Sequence, residues 1–299
     1  MKALLDRLED LDRRWIYLIV GVGALLPLIY PLNLPVTITP PVRNIYDYIE
    51  KLGPEDAVIV SFDYGPSTGP ENDPMAEAVM RHILARGIKL VVIALYPLGG
   101  VTMSQLSLDR VAKEFPELTY GKDYVNLGYK SGGIAVLKAM GQDLHTIFPM
   151  DLAKRPIADL PMMQKIKSYK DLKLAVSIAT GIIGEWWANL VNAQYGLPVA
   201  VGCTAVSAPK YYAYLRSGNM LGLMGGLKAA SEYEKLVMDG YPALRRIYER
   251  LNGPGAGGGY TAIKGMDVQS VVHLIIIAFI VLGNLAYFRS RKRPHHSEE

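Results

Sequence analysis

The amino-acid sequence predicts an α/β protein: a doubly wound, mostly parallel sheet of about five strands, flanked by an N-terminal and a C-terminal transmembrane helix. Three observations predict it. Long apolar runs stand near both ends of the chain. Between them, short β-branched runs alternate with segments of helical period. Most of those short runs are apolar throughout, as expected of strands covered by helices on both faces.

The first apolar run, WIYLIVGVGALLPLIYPL, starts at Trp15, and the second, VQSVVHLIIIAFIVLGNLAYF, runs from Val268 to Phe288. A helix crosses a bilayer with about 20 predominantly apolar residues. Trp15, Tyr30, Tyr287 and Phe288 sit at the ends of the runs, where bulky rings favour the membrane interface. No small-residue cleavage motif follows the first run; Pro27, Pro31, Pro35 and Pro40 do, so the reading is a retained anchor rather than a signal peptide.

The flanking charges orient the spans. Lys2, Arg7, Arg13 and Arg14 precede the first, and Arg289, Arg291, Lys292 and Arg293 follow the second. The opposite flanks are poor in Lys and Arg, so both tails are expected in the cytoplasm and the region between them outside it. The expected organisation is a tail over 1–14, a span over 15–34, an α/β domain over 41–252, a Gly-rich tether over 253–267, a span over 268–288 and a basic tail over 289–299.

The expected strands are Ala57–Tyr64, Lys89–Tyr96, Asp123–Tyr129, Leu174–Thr180 and Leu197–Ala205. Helices are expected over Asp73–Arg86, capped by Asp73 with Pro74 in the first turn, and over Ser104–Phe115, Ser131–Met140, Met162–Tyr169, Ile182–Gln194, Tyr211–Met238 with a break near Ser217-Gly218, and Tyr241–Leu251. The alternation implies right-handed crossovers and a Rossmann-like sheet. The stretch between Gly141 and Pro161, with Asp143, His145 and Asp151, reads as an excursion.

Composition narrows the function classes. Of 299 residues, 50% are hydrophobic and 20% charged, with a net charge of +4. That is ample apolar content for a core, and the scattered basic residues give no nucleic-acid footprint. Cys203 is the only cysteine, which excludes a disulfide scaffold.

Ligands of open parallel sheets bind beyond the carboxyl ends of the strands, which selects five loops. In the first, Asp63, Glu71 and Asp73 supply carboxylates and Ser67 and Thr68 hydroxyls. The three carboxylates are read either as a cation site or as a turn, a solvated side chain and a helix cap. In the third, Lys130, Ser131 and Gly132 lead from a strand into a helix, an arrangement open to an anion. Tyr129 breaks the spacing a phosphate-binding P-loop requires, so nucleotide hydrolysis is not expected. In the fifth, Thr204 adjoins Cys203, with His82 or His145 as conceivable bases and a buried, inert thiol as the alternative. The HExxH zinc motif is absent from the sequence. The residues call for no cofactor and no metal.

Gly218, Gly222, Gly226 and Ala230 recur every four residues, which on a helix makes a smooth stripe. The stripe is read either as close packing within the domain or as a subunit or membrane contact. His273, inside the second span, is read as a helix–helix contact with the first span or another subunit. Trp186 and Trp187 follow Glu185 as core residues or as a ligand-stacking pair. The functional expectation is a non-enzymatic scaffold or accessory subunit of a homo-oligomeric membrane assembly, with the lipid bilayer and membrane subunits as partners. The alternatives are a ligand-binding or sensing domain using the strand-end loops and a metal-assisted hydrolase.

Overall fold

The structure, a computed structural model, describes residues 12–253 and 261–290. Residues 1–11 and 291–299 of the two expected tails, and 254–260 of the expected tether, lie outside the described residues. In chain order the elements are α1 (Arg13–Ile29), α2 (Pro40–Ile49), β1 (Ala57–Asp63), α3 (Gly69–Ala85), β2 (Lys89–Ala94), α4 (Gly100–Ala112), β3 (Tyr124–Tyr129), α5 (Ile134–Met140), α6 (Leu144–Ile147), β4 (Leu174–Ala179), α7 (Ile183–Trp186), β5 (Val199–Cys203), α8 (Ala208–Arg216), β6 (Gly222–Gly225), α9 (Gly226–Gly240), α10 (Pro242–Asn252) and α11 (Ala262–Ser290). The helix begun by α7 runs on through a π-helical stretch, Trp187–Asn192. The chain divides into two compact units, one built on residues 35–251 and the other holding α1 and most of α11.

The first unit is a six-stranded parallel sheet in the order β3-β2-β1-β4-β5-β6. The chain winds outward in one direction from β1 and in the other from β4, so the switch point lies between those two strands. Every residue of β1 and β4 is buried. Because side chains alternate across a strand, Ala57 and Ile59 enter the apolar cluster beneath α5, α7 and α8, while Val58, Val60 and Phe62 are buried on the other side. There α3 lies on the sheet and packs against α4 and α9. Buried charges on α3 are paired: Arg81 donates to Glu114 at 2.7 Å and Glu77 at 3.2 Å.

Three expectations about this unit are corrected. The helical run expected from Tyr211 does break near Ser217-Gly218, where α8 ends, but strand β6 follows the break before α9 resumes the helix. Gly218 at φ +77° and Gly226 at φ +70° hold left-handed conformations that a continuous helix excludes. Gly218, Gly222, Gly226 and Ala230 therefore share no helical face. A Cβ on Gly222 would collide with Pro41 O and Ile45, so this glycine lets α2 cross β6 closely. A Cβ on Gly226 would meet Ala205, and Ala230 is buried in α9. Second, α3 begins at Gly69 rather than at Asp73. Pro70 takes an early helical position, and the Asp73 carboxylate accepts from Tyr64 Oη at 2.6 Å instead of capping. Third, Met162–Tyr169 forms turns, whose Met163 and Ile166 carbonyls face His145 Nε2 at 2.9 and 3.0 Å.

In the second unit, α1 ends at Ile29, before the expected limit at Leu34. Tyr30 precedes Pro31, and a residue before proline is pushed out of helical geometry. The non-helical exit is held by one carboxylate: Asp267 Oδ2 accepts from Leu32 N at 2.8 Å and Asn33 N at 2.9 Å, and Oδ1 from Leu34 N at 3.1 Å. Gly23 of α1 faces α11, where a Cβ would collide with Ile275 and touch Val271. The remaining surfaces of both helices expose large apolar side chains, among them Leu18, Leu25, Leu274 and Ile277. Among the described residues, one helix is long and apolar enough to cross a membrane, Ala262–Leu285, with a mean hydropathy of 2.2.

Candidate functional site

The switch point between β1 and β4 is where a doubly wound sheet usually receives a ligand. Here Asp63 closes β1 with no exposed surface. Its Oδ1 accepts from Ser61 Oγ at 2.7 Å and Leu95 N at 3.2 Å. Its Oδ2 accepts from Ser177 Oγ at 2.6 Å and Trp187 Nε1 at 2.9 Å. Burial pushes its pKa up to about 6, while the four donors pull the other way. The carboxylate thus fastens β1 to the end of β2, to β4 and to the π-helical stretch after α7. It is not presented to a ligand.

The other expected site residues do not converge on Asp63. Glu71 Oε2 accepts from Ala205 N at 2.9 Å and ties the first turn of α3 to the β5 loop. Asp73 is held by Tyr64 and lies 3.6 Å from Arg110. Among the described residues, no group of three or more His, Cys, Asp or Glu side chains is placed to hold a metal ion. Ser67 is exposed in the short turn before α3. Thr68 Oγ1 donates to Gly65 O at 3.3 Å and accepts from Asn72 Nδ2 at 3.3 Å. Thr204 Oγ1 donates to Ser207 Oγ at 3.2 Å, bracing the start of α8.

Lys130 is half-buried, and Ser131 and Gly132 are exposed. Ser131 does not cap the following helix, which starts after Gly133, itself at φ +53°. Cys203 is buried, and that burial raises its thiol pKa to about 12, so it carries no thiolate near neutral pH. His82 is occupied elsewhere, between Glu50 Oε1 and Tyr233 Oη at 2.8 Å each, and burial lowers its pKa to about 4. His145 Nε2 is likewise engaged, by the Met163 and Ile166 carbonyls, so neither imidazole considered from sequence is free to serve Cys203 as a base.

Trp186 and Trp187 take different roles. Trp187 is fully buried on Asp63, whereas Trp186 lies over the β3 loop, 3.0 Å from where a Cβ on Gly133 would sit. The partners of Asp63 escaped sequence reasoning, but a signal existed. Ser61 and Ser177 are the lone hydroxyls of two buried apolar strands, and the sheet register pairs them side by side.

Beside the exposed Ser67 and Ser131, this edge turns apolar side chains outward. Leu98, Ile182 and Val206 on the loops after β2, β4 and β5, and Ile134 at the start of α5 after β3, are 72%, 53%, 90% and 42% exposed. Contacts between the loops hold them. Lys210 Nζ donates to Gly181 O and to Glu185, and a Cβ on Gly65 would strike Tyr96 at 2.9 Å.

The fold and this edge define a class: a Rossmann-like, parallel α/β protein with an apolar helix long enough to cross a membrane. Compared with protein families, characterised proteins and solved structures, the chain matches none.

Proposed function

We propose that the chain is a non-enzymatic scaffold or accessory subunit of a homo-oligomeric membrane assembly. It is anchored by α1 and α11, with the α/β unit outside the cytoplasm and both tails inside. One observation carries the reading. At the sheet edge where reactive groups normally gather, the carboxylates Asp63, Glu71 and Asp73 are engaged by internal donors, while four loop tips turn apolar side chains outward. An edge of that kind suits contact with another protein surface. The 24-residue apolar segment Ala262–Leu285 supports one span by length. The 17 residues of α1 reach about 25 Å, and the apolar residues up to Leu34 extend it toward a full crossing. The basic flanks of both runs support the orientation.

The test is a Leu98→Asp, Val206→Asp variant of the full chain. Both side chains are exposed, so the fold should melt at the wild-type temperature while the particle in mild detergent becomes smaller. An unchanged particle would remove this edge from the assembly.

A second reading, a small ligand at the switch point, is favoured by two buried polar atoms near the strand ends. Among the described residues, Asn72 Oδ1 and Tyr211 Oη have no hydrogen-bond partner. A group offering a donor would satisfy the amide oxygen. A thermal-shift screen of anions, sugars and divalent ions tests it; no response from any class removes the reading.

A further inference from the structure

Within the apolar stretch of α11, Gln269, His273 and Asn284 lie on one side of the helix. Gln269, His273, Ile276, Ile280 and Gly283 follow one another at alternating intervals of four and three, a period of 3.5, and Asn284 adjoins Gly283. All six are exposed. At about 100° per residue, Val271 and Ile275 lie roughly opposite His273. Those two are the residues that meet Gly23 of α1. The contact with the first helix therefore uses the other side of α11, and α1 does not cover His273.

Between Val268 and Phe288 the sequence carries no charged residue, so the imidazole and two carboxamides are the strongly polar side chains of this stretch. Among the described residues His273 has no hydrogen-bond partner. Asn284 Nδ2 donates back to Ile280 O at 2.8 Å, which keeps its amide beside the same face. Acyl chains offer such groups nothing, and polar residues within membrane helices normally turn toward protein. A Cβ on Gly283 would meet nothing within 4 Å, so the face has room for a closely approaching helix.

We infer that this face binds the same face of α11 in a second copy of the chain. Gln, His and Asn side chains each donate and accept hydrogen bonds, so the face is complementary to itself across a two-fold axis. Two copies inserted with one topology present their α11 helices in parallel. A 3.5-residue seam then brings His273 opposite His273 and Ile280 opposite Ile280, in the left-handed crossing of such pairs. With no charge on the seam, nothing repels the second copy. The inference deepens the homo-oligomer reading and rests on α11 being a membrane span.

The experiment is a cysteine scan of the full chain in native membranes, with buried Cys203 kept as the uncrosslinked background. Oxidation should give covalent dimers for Ile276→Cys, Ile280→Cys and Gly283→Cys. Little should form for Val271→Cys, Leu274→Cys or Ile275→Cys. Separately, His273→Leu should weaken self-association roughly threefold or more, with His273→Asn recovering part of it. Crosslinks that peak on another face would overturn the inference while leaving a homo-oligomer standing. An oligomeric particle without crosslinks at any position would overturn it as well. A monomeric particle without crosslinks would overturn both.

Discussion

Replacing Asp63 with asparagine should reverse the order of stability between acid and alkaline conditions. Each oxygen of the carboxylate accepts one hydroxyl and one N–H: Ser61 and Leu95 N on Oδ1, Ser177 and Trp187 Nε1 on Oδ2. A hydroxyl can rotate to accept from an amide, but an N–H cannot. Whichever oxygen becomes NH2, one buried N–H loses its acceptor, at a cost of about 1–3 kcal/mol. Against this stands the charge. Burial raises the folded-state pKa from 3.8 to about 6, so the folded protein holds the proton more tightly than the unfolded chain. The associated stabilisation is fully present below pH 3.8 and lost as pH rises through about 6, a change of about 3 kcal/mol. The asparagine variant lacks that pH dependence. It should therefore melt below the wild type near pH 4.5 and match or exceed it near pH 8. At roughly 2–4 °C per kcal/mol for a domain of this size, the gap at the acid end is readable in a melting curve. Near-ultraviolet circular dichroism, to which Trp187 contributes with the other aromatic side chains, follows the packing through the same pH range. Parallel wild-type and variant profiles from pH 4 to 8 would refute the claim that Asp63 titrates inside the sheet.

Other perturbations separate packing from assembly. Gly222→Leu drives a side chain into Pro41 O and Ile45 and should lower stability by about 1–3 kcal/mol or more. Gly218→Ala meets nothing within 4 Å and should cost only about 1 kcal/mol for its φ of +77°; equal melting shifts would contradict this. Cys203 should resist iodoacetamide at pH 8 in the folded chain and react on unfolding, and fast native alkylation would contradict its burial. Asp267→Ala strips the acceptor from three backbone N–H groups and should speed proteolysis within residues 30–39 at least severalfold; an unchanged cleavage rate would show that the carboxylate does not hold this segment.

Much of the fold was legible because continuous β-branched runs leave few alternatives. The five strands expected from sequence all form, with ends displaced by no more than two residues. The sixth strand was hidden by its glycines, whose spacing of four imitates a helix. The strand shows in its parallel pairing with β5, in the left-handed angles at Gly218 and Gly226 and in the crossing of α2 over Gly222, and these depend on residues distant in sequence. The site was less legible for the same reason. Asp63 stands out in the sequence as a carboxylate at a strand end, and its type alone suggests a ligand. Its sequestration depends on Ser177 and Trp187, more than a hundred residues away. The apolar loop tips escaped notice because a single leucine or valine in a loop is ordinary. They gain meaning only when the topology gathers four of them on one edge.

Self-assembly is read from the mass of the full-chain particle in lipid nanodiscs, measured by native mass spectrometry. One chain weighs 32.9 kDa. The account predicts an integer multiple of two or more that drops when the loop tips or the His273 face are altered. A particle of one chain, unchanged by either alteration, would contradict it.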